Sequence, residues 1–138
     1  MKVVINGCYG GFGLSEAATR AYFGRKGKEV HAVGNDPFTS YFDAPMPPEF
    51  MEPPWDHLMP RDHPQFAAYN EWYSAHSLYE RDIERNDPDL VAVVEELGSV
   101  ADGRCASLRV VEIPDGVEWE IDEYDGIEHI AEKHRTWS

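Results

Sequence analysis

The sequence has few of the features that mark secreted or membrane proteins. It contains only two cysteines, Cys8 and Cys105, among 138 residues, which is too few for a disulfide framework. Free thiols in a reducing compartment are the simpler interpretation. The first ten residues hold only a short apolar run, and no stretch approaches about 18 apolar residues, so neither a signal-peptide core nor a membrane span is predicted. We therefore expect a soluble, cytoplasmic protein.

Basic residues are also scarce. Twelve Lys and Arg stand against 26 Asp and Glu, which gives a formal charge of −14. A field this negative argues against direct binding of nucleic-acid phosphates and favours basic partners. The balance is uneven, because residues 1–35 carry five basic and two acidic residues, whereas residues 36–138 carry seven and 24. The N-terminal region is therefore where we expect an anion to bind.

The chain length fits one domain, and its opening residues predict an α/β fold. Residues 2–5 (KVVI) are typical of a short buried strand, and a glycine-rich loop follows at residues 7–13. Ser15 is a good N-cap for the next helix, which Gly27 ends. Residues 28–33 alternate in polarity and predict a second strand. Strand, helix and strand in so short a stretch predict a βαβ unit with parallel strands.

Residues 36–64 contain eight of the ten prolines. Proline removes backbone donors and disfavours regular elements, so we predict a long irregular segment. Its aromatic and methionine content is too high for a solvated linker. We expect it to wrap over the domain or form a lid, with a disordered insertion as the alternative. The apolar side chains of residues 38–59 could also form a homo-oligomer interface.

The remaining elements complete the predicted fold. Residues 63–79 have helical aromatic spacing, and Asp87-Pro88 begins a helix that Gly98 ends. Strands at residues 107–113 and 117–124 flank a Pro-Asp-Gly turn and predict a β-hairpin. The capping-box pattern at residues 125–128 then predicts a last helix. The predicted fold is a single α/β domain of residues 1–138, with a βαβ start followed by a helix, a β-hairpin and a terminal helix on a mixed sheet.

Several phrases of the sequence resemble one protein family. YGGFGLS near the N-terminus and YDGIEHIAEKHRTW at the C-terminus are similar to segments of a family of small tailed-bacteriophage proteins, and the likeness covers roughly residues 1–20 and 78–137. No activity is assigned to that family, so the resemblance transfers no catalytic residues. It implies a phage accessory protein in the cytoplasm of an infected bacterium, where such proteins often counter host defence by binding a host protein or a nucleotide signal.

The glycine-rich loop is the predicted binding site. Successive glycines after a buried strand expose backbone N–H groups beside a helix N-terminus, which favours anions. The spacing matches neither the dinucleotide-binding nor the P-loop pattern, so glycines that only permit tight packing are the alternative. We expect a nucleotide-like or other anionic small ligand, bound without turnover. The predicted ligand-binding residues are Asn6, Tyr9, Gly10, Gly11, Phe12, Gly13, Ser15, Arg104 and Arg135.

The sequence offers two alternative kinds of site, one catalytic and one metal-binding. Cys8 near a helix N-terminus could be a nucleophile in a small enzyme acting on a nucleotide, although a small buried residue is the simpler interpretation. Histidines and carboxylates near the C-terminus and in the proline-rich segment lack the HExxH or paired-cysteine spacing of zinc sites. We therefore predict no catalytic residue, cofactor or metal. The metal candidates considered are His129, Glu132 and His134, and Asp56, His57, Asp62 and His63.

The acidic hairpin supports a different function. Alternation along residues 117–124 turns Val117, Trp119 and Ile121 inward and leaves the carboxylates on the outer face, roughly 7 Å apart. Such a row can mimic nucleic acid and block a basic host protein, although a solvated polar face is the commoner reason for the pattern. An acidic, protein-binding inhibitor is therefore the alternative to a ligand-binding protein. The outer-face carboxylates are those of Glu118, Glu120 and Asp122.

Overall fold

The computed structural model describes residues 1–34, 39–51 and 64–133. They form two compact units, one made of Met1–Lys26 with the described part of Glu80–Ser138, the other of the described part of Gly27–Tyr79. Helices and short antiparallel sheets occur together, so the predicted mixed α/β class is confirmed. That the whole chain is one domain stays a prediction.

A two-stranded antiparallel sheet lies at the centre of the first unit. Strand β1, Lys2–Asn6, has the predicted position and pairs with β4, Leu108–Glu112. Val3 and Val4 are fully buried, and Val111 and Val110 lie opposite them. A strand with two apolar faces is stabilised by partners on both, so β1 is the core strand of this unit.

Two helices cover this core. Helix α1, Glu16–Arg25, begins where Ser15 Oγ accepts a hydrogen bond from the Ala18 N–H. Helix α4, Pro88–Leu97, begins after the Asp87 cap, and Gly98 ends it with a φ of 57°. Both helices were predicted from these caps, and they pack against each other. Their buried residues are Ala18, Thr19, Tyr22 and Phe23 in α1, and Leu90, Val91, Val93 and Val94 in α4.

The prediction of a terminal helix from the capping-box pattern is wrong. Residues 119–132 form a hairpin of β5, Trp119–Tyr124, and β6, Ile127–Glu132. The two-residue turn Asp125-Gly126 has φ values of 50° and 92°, which are the positive angles of a type I′ turn. The twist of that turn matches the twist of the strands, so the Asp-Gly pair favours a hairpin over a helix start.

The predicted pairing of the strands also needs correction. β4 was expected to form a hairpin with β5 around Pro114-Asp-Gly, but β4 pairs with β1, and β5 pairs with β6. The strand after α1, named β2 (His31–Val33), pairs antiparallel with β3 (Ser40–Phe42). The strands flanking α1 thus lie in separate sheets, so there is no parallel βαβ unit among the described residues. Strand alternation alone does not determine the partner, because it specifies a face and not an edge.

The second unit is organised around Phe42, which is 1% exposed. Helix α3, Pro64–His76, confirms the predicted aromatic helix, and its Trp72 and Tyr73 rings lie 4.9 Å and 5.2 Å from the Phe42 ring. The segment predicted to be irregular, residues 36–64, contains β3 and a short helix α2, Pro48–Met51, so irregularity does not hold throughout. Proline at the first position of a helix is well tolerated, which reconciles Pro48 with α2. Residues 35–38 and 52–63 lie outside the described residues.

Candidate ligand site at the glycine loop

The side chain of Asn6 holds the start of the glycine loop (residues 7–13) through hydrogen bonds. This side chain is fully buried and has hydrogen-bond partners on both polar atoms. Asn6 Nδ2 donates to Cys8 O and Gly126 O, both at 2.7 Å. Asn6 Oδ1 accepts from Ser107 N at 2.8 Å and from Cys8 N at 3.3 Å. This predicted ligand residue therefore holds the loop against two other segments, and its amide faces the chain and not solvent.

The backbone N–H groups expected to bind an anion are close to the chain's own hairpin. Gly10 N donates to Asp125 O at 3.3 Å. A Cβ on Gly126 would lie 2.6 Å from Gly10 N and would also overlap Gly11 N, so the turn sits directly on these two nitrogens. Gly10 and Gly11 have φ values of 112° and 99°, which other residues rarely adopt. The inner side of the loop is thus filled by Asp125-Gly126.

The entrance to α1 is satisfied internally as well. Leu14 N donates to the Glu80 carboxylate at 2.9 Å, so an internal anion already lies near this helix N-terminus. Gly103 N donates to Gly13 O at 2.9 Å, and a Cβ on Gly103 would overlap the Gly13 backbone. Ser15 donates through Oγ to Val100 O and caps the helix. Gly13 and Ser15 therefore have structural partners on the inner side of the site.

Phe12 lies over a partly buried ion pair. The Arg85 guanidinium carbon is 3.5 Å from the centre of the Phe12 ring, a cation–π contact. Arg85 also forms two hydrogen bonds to Glu128, at 2.7 Å and 2.9 Å. Glu128 Oε1 accepts a further bond, from Asn6 N at 2.8 Å. The Phe12 ring is thus held by a cation that already has its own anion.

The outer face of the loop has different chemistry. Tyr9 is 61% exposed, and the Arg109 guanidinium lies against Gly7, where a Cβ would be 2.6 Å from Arg109 Nε. Exposed Arg104 lies between Gly103, which contacts Gly13, and Cys105, which contacts Gly10. Within the described ranges neither arginine has an ion-pair partner. The loop and the two segments beside it therefore carry an exposed aromatic ring and two arginines that form no ion pair among the described residues.

Arg109 was missed in the sequence, although Arg104 was predicted. The β1–β4 register places Arg109 opposite Ile5, next to the start of the loop. That register depends on the pairing of strands about one hundred residues apart. The alternation of residues 107–113 marks Arg109 as exposed but does not show that it borders the loop. The other predicted cation, Arg135, lies outside the described residues.

Most of the cations in residues 1–35 form ion pairs with carboxylates in the folded structure. Lys2 contacts Glu95 at 2.8 Å, and Arg20 lies 3.4 Å from Glu16. Each of these cations is paired with a carboxylate, so the charge count does not translate into a positive surface on α1. The same holds at the end of α1, where Arg25 pairs with Asp89, and Lys26 pairs with Asp87 and Asp89.

The alternative sites have modest geometric support. Cys8 and Cys105 are both exposed free thiols. Exposed His129 lies 3.5 Å from Asp122, on the neighbouring strand. No group of three or more His, Cys, Asp or Glu side chains in the described part of the chain is arranged to hold a metal ion. The candidates His134, Asp56, His57, Asp62 and His63 lie outside that part.

A cavity of about 400 Å³ lies at the other end of β1, away from the loop. Its charged lining is the Lys2–Glu95 ion pair, in which each group already has its partner. Neither group is therefore left to bind a charged ligand. The cavity is lined by Met1, Lys2, Asn86, Pro88, Val91, Ala92 and Glu95.

Residues 117–124, which end in strand β5, have the alternation predicted for them. Val117, Trp119 and Ile121 are half-buried. Among the described residues Glu118 and Glu120 form no ion pair, although Lys133 lies opposite Glu118 across the hairpin, and Asp122 lies near His129. The exposed set is Glu118, Glu120 and Asp122.

Comparison with known proteins adds no relative. No protein-family model matches the chain, and neither a curated protein nor a solved structure matches it. Among the described residues, none of the helices has the length and apolar character needed to cross a membrane.

Proposed function

We propose that this protein binds a nucleotide-like or other anionic small ligand on the outer face of the glycine loop, without turnover. The observation that carries the proposal is the pair Arg104 and Arg109, which border the loop and have no ion-pair partner among the described residues. Five other described cations are paired with carboxylates. In a chain of charge −14, two unpaired arginines beside one loop are the groups best suited to an anion.

The mode of binding differs from that of a phosphate-binding loop. The Gly10 amide donates to Asp125 O, the Gly11 nitrogen lies against Gly126, and Leu14 N, just after the loop, donates to Glu80. In this proposal the arginine side chains therefore supply the hydrogen bonds to the ligand. Exposed Tyr9 offers a ring on which a base can stack. Rigid support comes from the buried Asn6 amide, which fixes the start of the loop.

The resemblance to small tailed-bacteriophage proteins implies where this protein would act. In the cytoplasm of an infected bacterium, sequestration of a nucleotide signal would counter host defence. Binding without turnover fits that role, because the amount of ligand removed from solution then depends on the amount of protein. Calorimetry against nucleoside phosphates, cyclic nucleotides and NAD-derived compounds is the direct test, followed by mass spectrometry of the recovered compounds.

Matched variants sharpen this experiment. Arg109→Gln and Arg104→Gln should each weaken binding by roughly tenfold or more, since a charge-assisted hydrogen bond contributes about 1.5–3 kcal/mol. Lys28→Gln removes an exposed cation from the second unit and should leave the affinity unchanged. If no compound binds, or if the arginine variants bind as the parent does, the proposal fails. A recovered compound that has been chemically altered would show an enzyme instead.

A second candidate function is an acidic inhibitor that binds a basic host protein. The exposed row of Glu118, Glu120 and Asp122 favours it, because the two glutamates have no cation partner among the described residues. Such binding should weaken steeply with salt. Capture of purified basic nucleic-acid-binding proteins at two salt concentrations tests it. Capture that is insensitive both to salt and to reversal of these three charges would exclude it.

A further inference from the structure

The outer edge of β5 is an unpaired strand edge whose free backbone groups can be assigned. Lys133 N donates to Glu118 O at 3.0 Å, so these two residues form a hydrogen-bonded pair. In an antiparallel ladder such pairs alternate with non-hydrogen-bonded ones. With the register of the hairpin, Glu120 and Asp122 also point their backbone groups toward β6. The N–H and C=O groups of Trp119, Ile121 and Glu123 therefore point outward.

The other edge of the hairpin, that of β6, is partly covered by the chain itself. β6 lies beside β1, where Glu128 accepts from Asn6 N and holds Arg85. On the β5 side, the described residues supply no backbone hydrogen-bond partner for Trp119, Ile121 or Glu123. An exposed strand edge of this kind is a template for one more strand.

The side chains specify which strand can be added. Residues directly opposite each other in a ladder share a face and interact. The new strand would place every second residue beside the row of Glu118, Glu120 and Asp122, and the residues between them beside half-buried Trp119 and Ile121. A second copy of this edge would bring carboxylates against carboxylates, which is unfavourable.

We propose that the β5 edge binds an extended basic segment by strand addition, with Lys or Arg at alternate positions and apolar residues between them. This inference rests on the second candidate function and names its mode of binding. The segment is about six residues long, because β5 has six residues and strands pair residue by residue. Backbone hydrogen bonds fix the register, and the carboxylate row selects the basic face.

A synthetic capped peptide of alternating Lys and Val, six residues long, is the probe. It should bind the full-length protein and slow hydrogen exchange of the Trp119, Ile121 and Glu123 amides at least tenfold, as followed by NMR. The amides of Glu120 and Asp122 already face β6 and should change little. The matched control is the same peptide with its three valines N-methylated, which keeps the charge but removes the donors that face β5.

Charge reversal provides the second arm. The variant E118K/E120K should bind the Lys–Val peptide about tenfold more weakly and should instead bind a Glu–Val peptide. The variant E71K/E96K changes the net charge equally at two exposed helix positions and should retain the parent's affinity.

The outcomes distinguish strand addition at β5 from charge-driven capture of basic proteins. Equal binding of the N-methylated peptide, or binding without protection of the three amides, overturns strand addition while leaving charge-driven capture of basic proteins standing. Equal binding of the Lys–Val peptide by E118K/E120K and by the parent overturns the role of the carboxylate row. Failure of the peptide to bind at all overturns the inference, and the binding of small ligands at Arg104 and Arg109 is measured independently of it.

Discussion

Arg85 holds the carboxylate of Glu128 through two parallel hydrogen bonds, of 2.7 Å and 2.9 Å. The side chains are 21% and 8% exposed, so the pair is largely removed from water. Bidentate arginine–carboxylate pairs are among the strongest charge-assisted contacts. This pair connects the segment before α4 to β6, and through Asn6 N it also reaches the end of β1.

Removing the carboxylate should be strongly destabilising. In Glu128→Ala the Arg85 guanidinium loses its anion while it remains partly buried, and Asn6 N loses its acceptor. We expect the free energy of unfolding to fall by about 3–5 kcal/mol, as for other broken buried pairs. Urea denaturation measures the change. Glu132→Ala, at an exposed position on the same strand, should cost about 0.5 kcal/mol or less, and an equal loss in both variants would contradict the assignment.

The contact of the hairpin turn with the glycine loop can be tested with two glycines of similar backbone conformation. Gly126 and Gly116 have φ values of 92° and 80°, so alanine is strained at both. Only at Gly126 would the new Cβ overlap other atoms, the nitrogens of Gly10 and Gly11; at Gly116 it meets open space. Gly116→Ala should cost about 1 kcal/mol, and Gly126→Ala clearly more, as thermal denaturation would measure. Equal costs would show that the turn does not sit on the loop.

Acid should weaken the connection between α1 and α4. Burial raises the pKa of Asp87, but hydrogen bonds from Tyr22, Asp89 N and Lys26 outweigh it and lower the pKa below its ordinary 3.8. Hydrogen bonds from Lys26 and Arg25 lower the pKa of Asp89. A lowered carboxyl pKa contributes stability that is present above the unfolded value and lost as pH falls through the folded value.

We therefore expect the free energy of unfolding to decrease below about pH 4, as followed by urea denaturation across a pH series. In Asp87→Asn and Asp89→Asn the decrease should be smaller, because the titrating group is gone. Glu96→Gln, at an exposed position of α4, should follow the parent. Parallel pH curves for all variants would contradict the prediction.

Alkali should act on the same connection through Tyr22. Burial and then the hydrogen bond to Asp87, at 2.8 Å, raise the pKa of Tyr22 to about 12. A raised pKa contributes stability that is complete below the unfolded value of about 10 and is lost as pH rises through the folded value. Phenolate absorbance should show a late step near pH 12 that Tyr22→Phe removes. Tyr124→Phe, at a position 77% exposed, should leave that step in place.

Helices α1 and α4 were predicted correctly because their signals are local. Ser15 and Asp87 cap α1 and α4 through bonds to nitrogens two or three residues ahead, so a short window of sequence contains the whole determinant. The strands were harder to predict. The letters Asp125-Gly-Ile-Glu128 fit both a capping box and a type I′ turn, and the cross-strand pairing of β5 with β6, which includes Ile121 with Ile130, separates the two.

Only the contiguous part of the candidate site could be predicted from the sequence, for the same reason. The glycine loop is contiguous, so Tyr9, Gly10 and Gly11 could be grouped from the sequence alone. What fills its inner side, Asp125-Gly126 and Glu80, comes from distant segments, as does Arg109 on its outer side. Such contacts depend on tertiary pairing, which residue types in one window do not determine.

The pairing of β1 with β4 has a consequence for synthesis on the ribosome. Met1 N and Ile113 O, which are hydrogen-bonded, are 112 positions apart, and Asn6 and Gly126 are 120 apart. At about 5–20 residues per second, an interval of roughly 5–25 s separates their emergence. During it, the apolar strand Lys2–Asn6 has no partner, and its unpaired edge is open to aggregation. Occupancy by a chaperone that binds short apolar segments would protect the nascent chain until β4 is made.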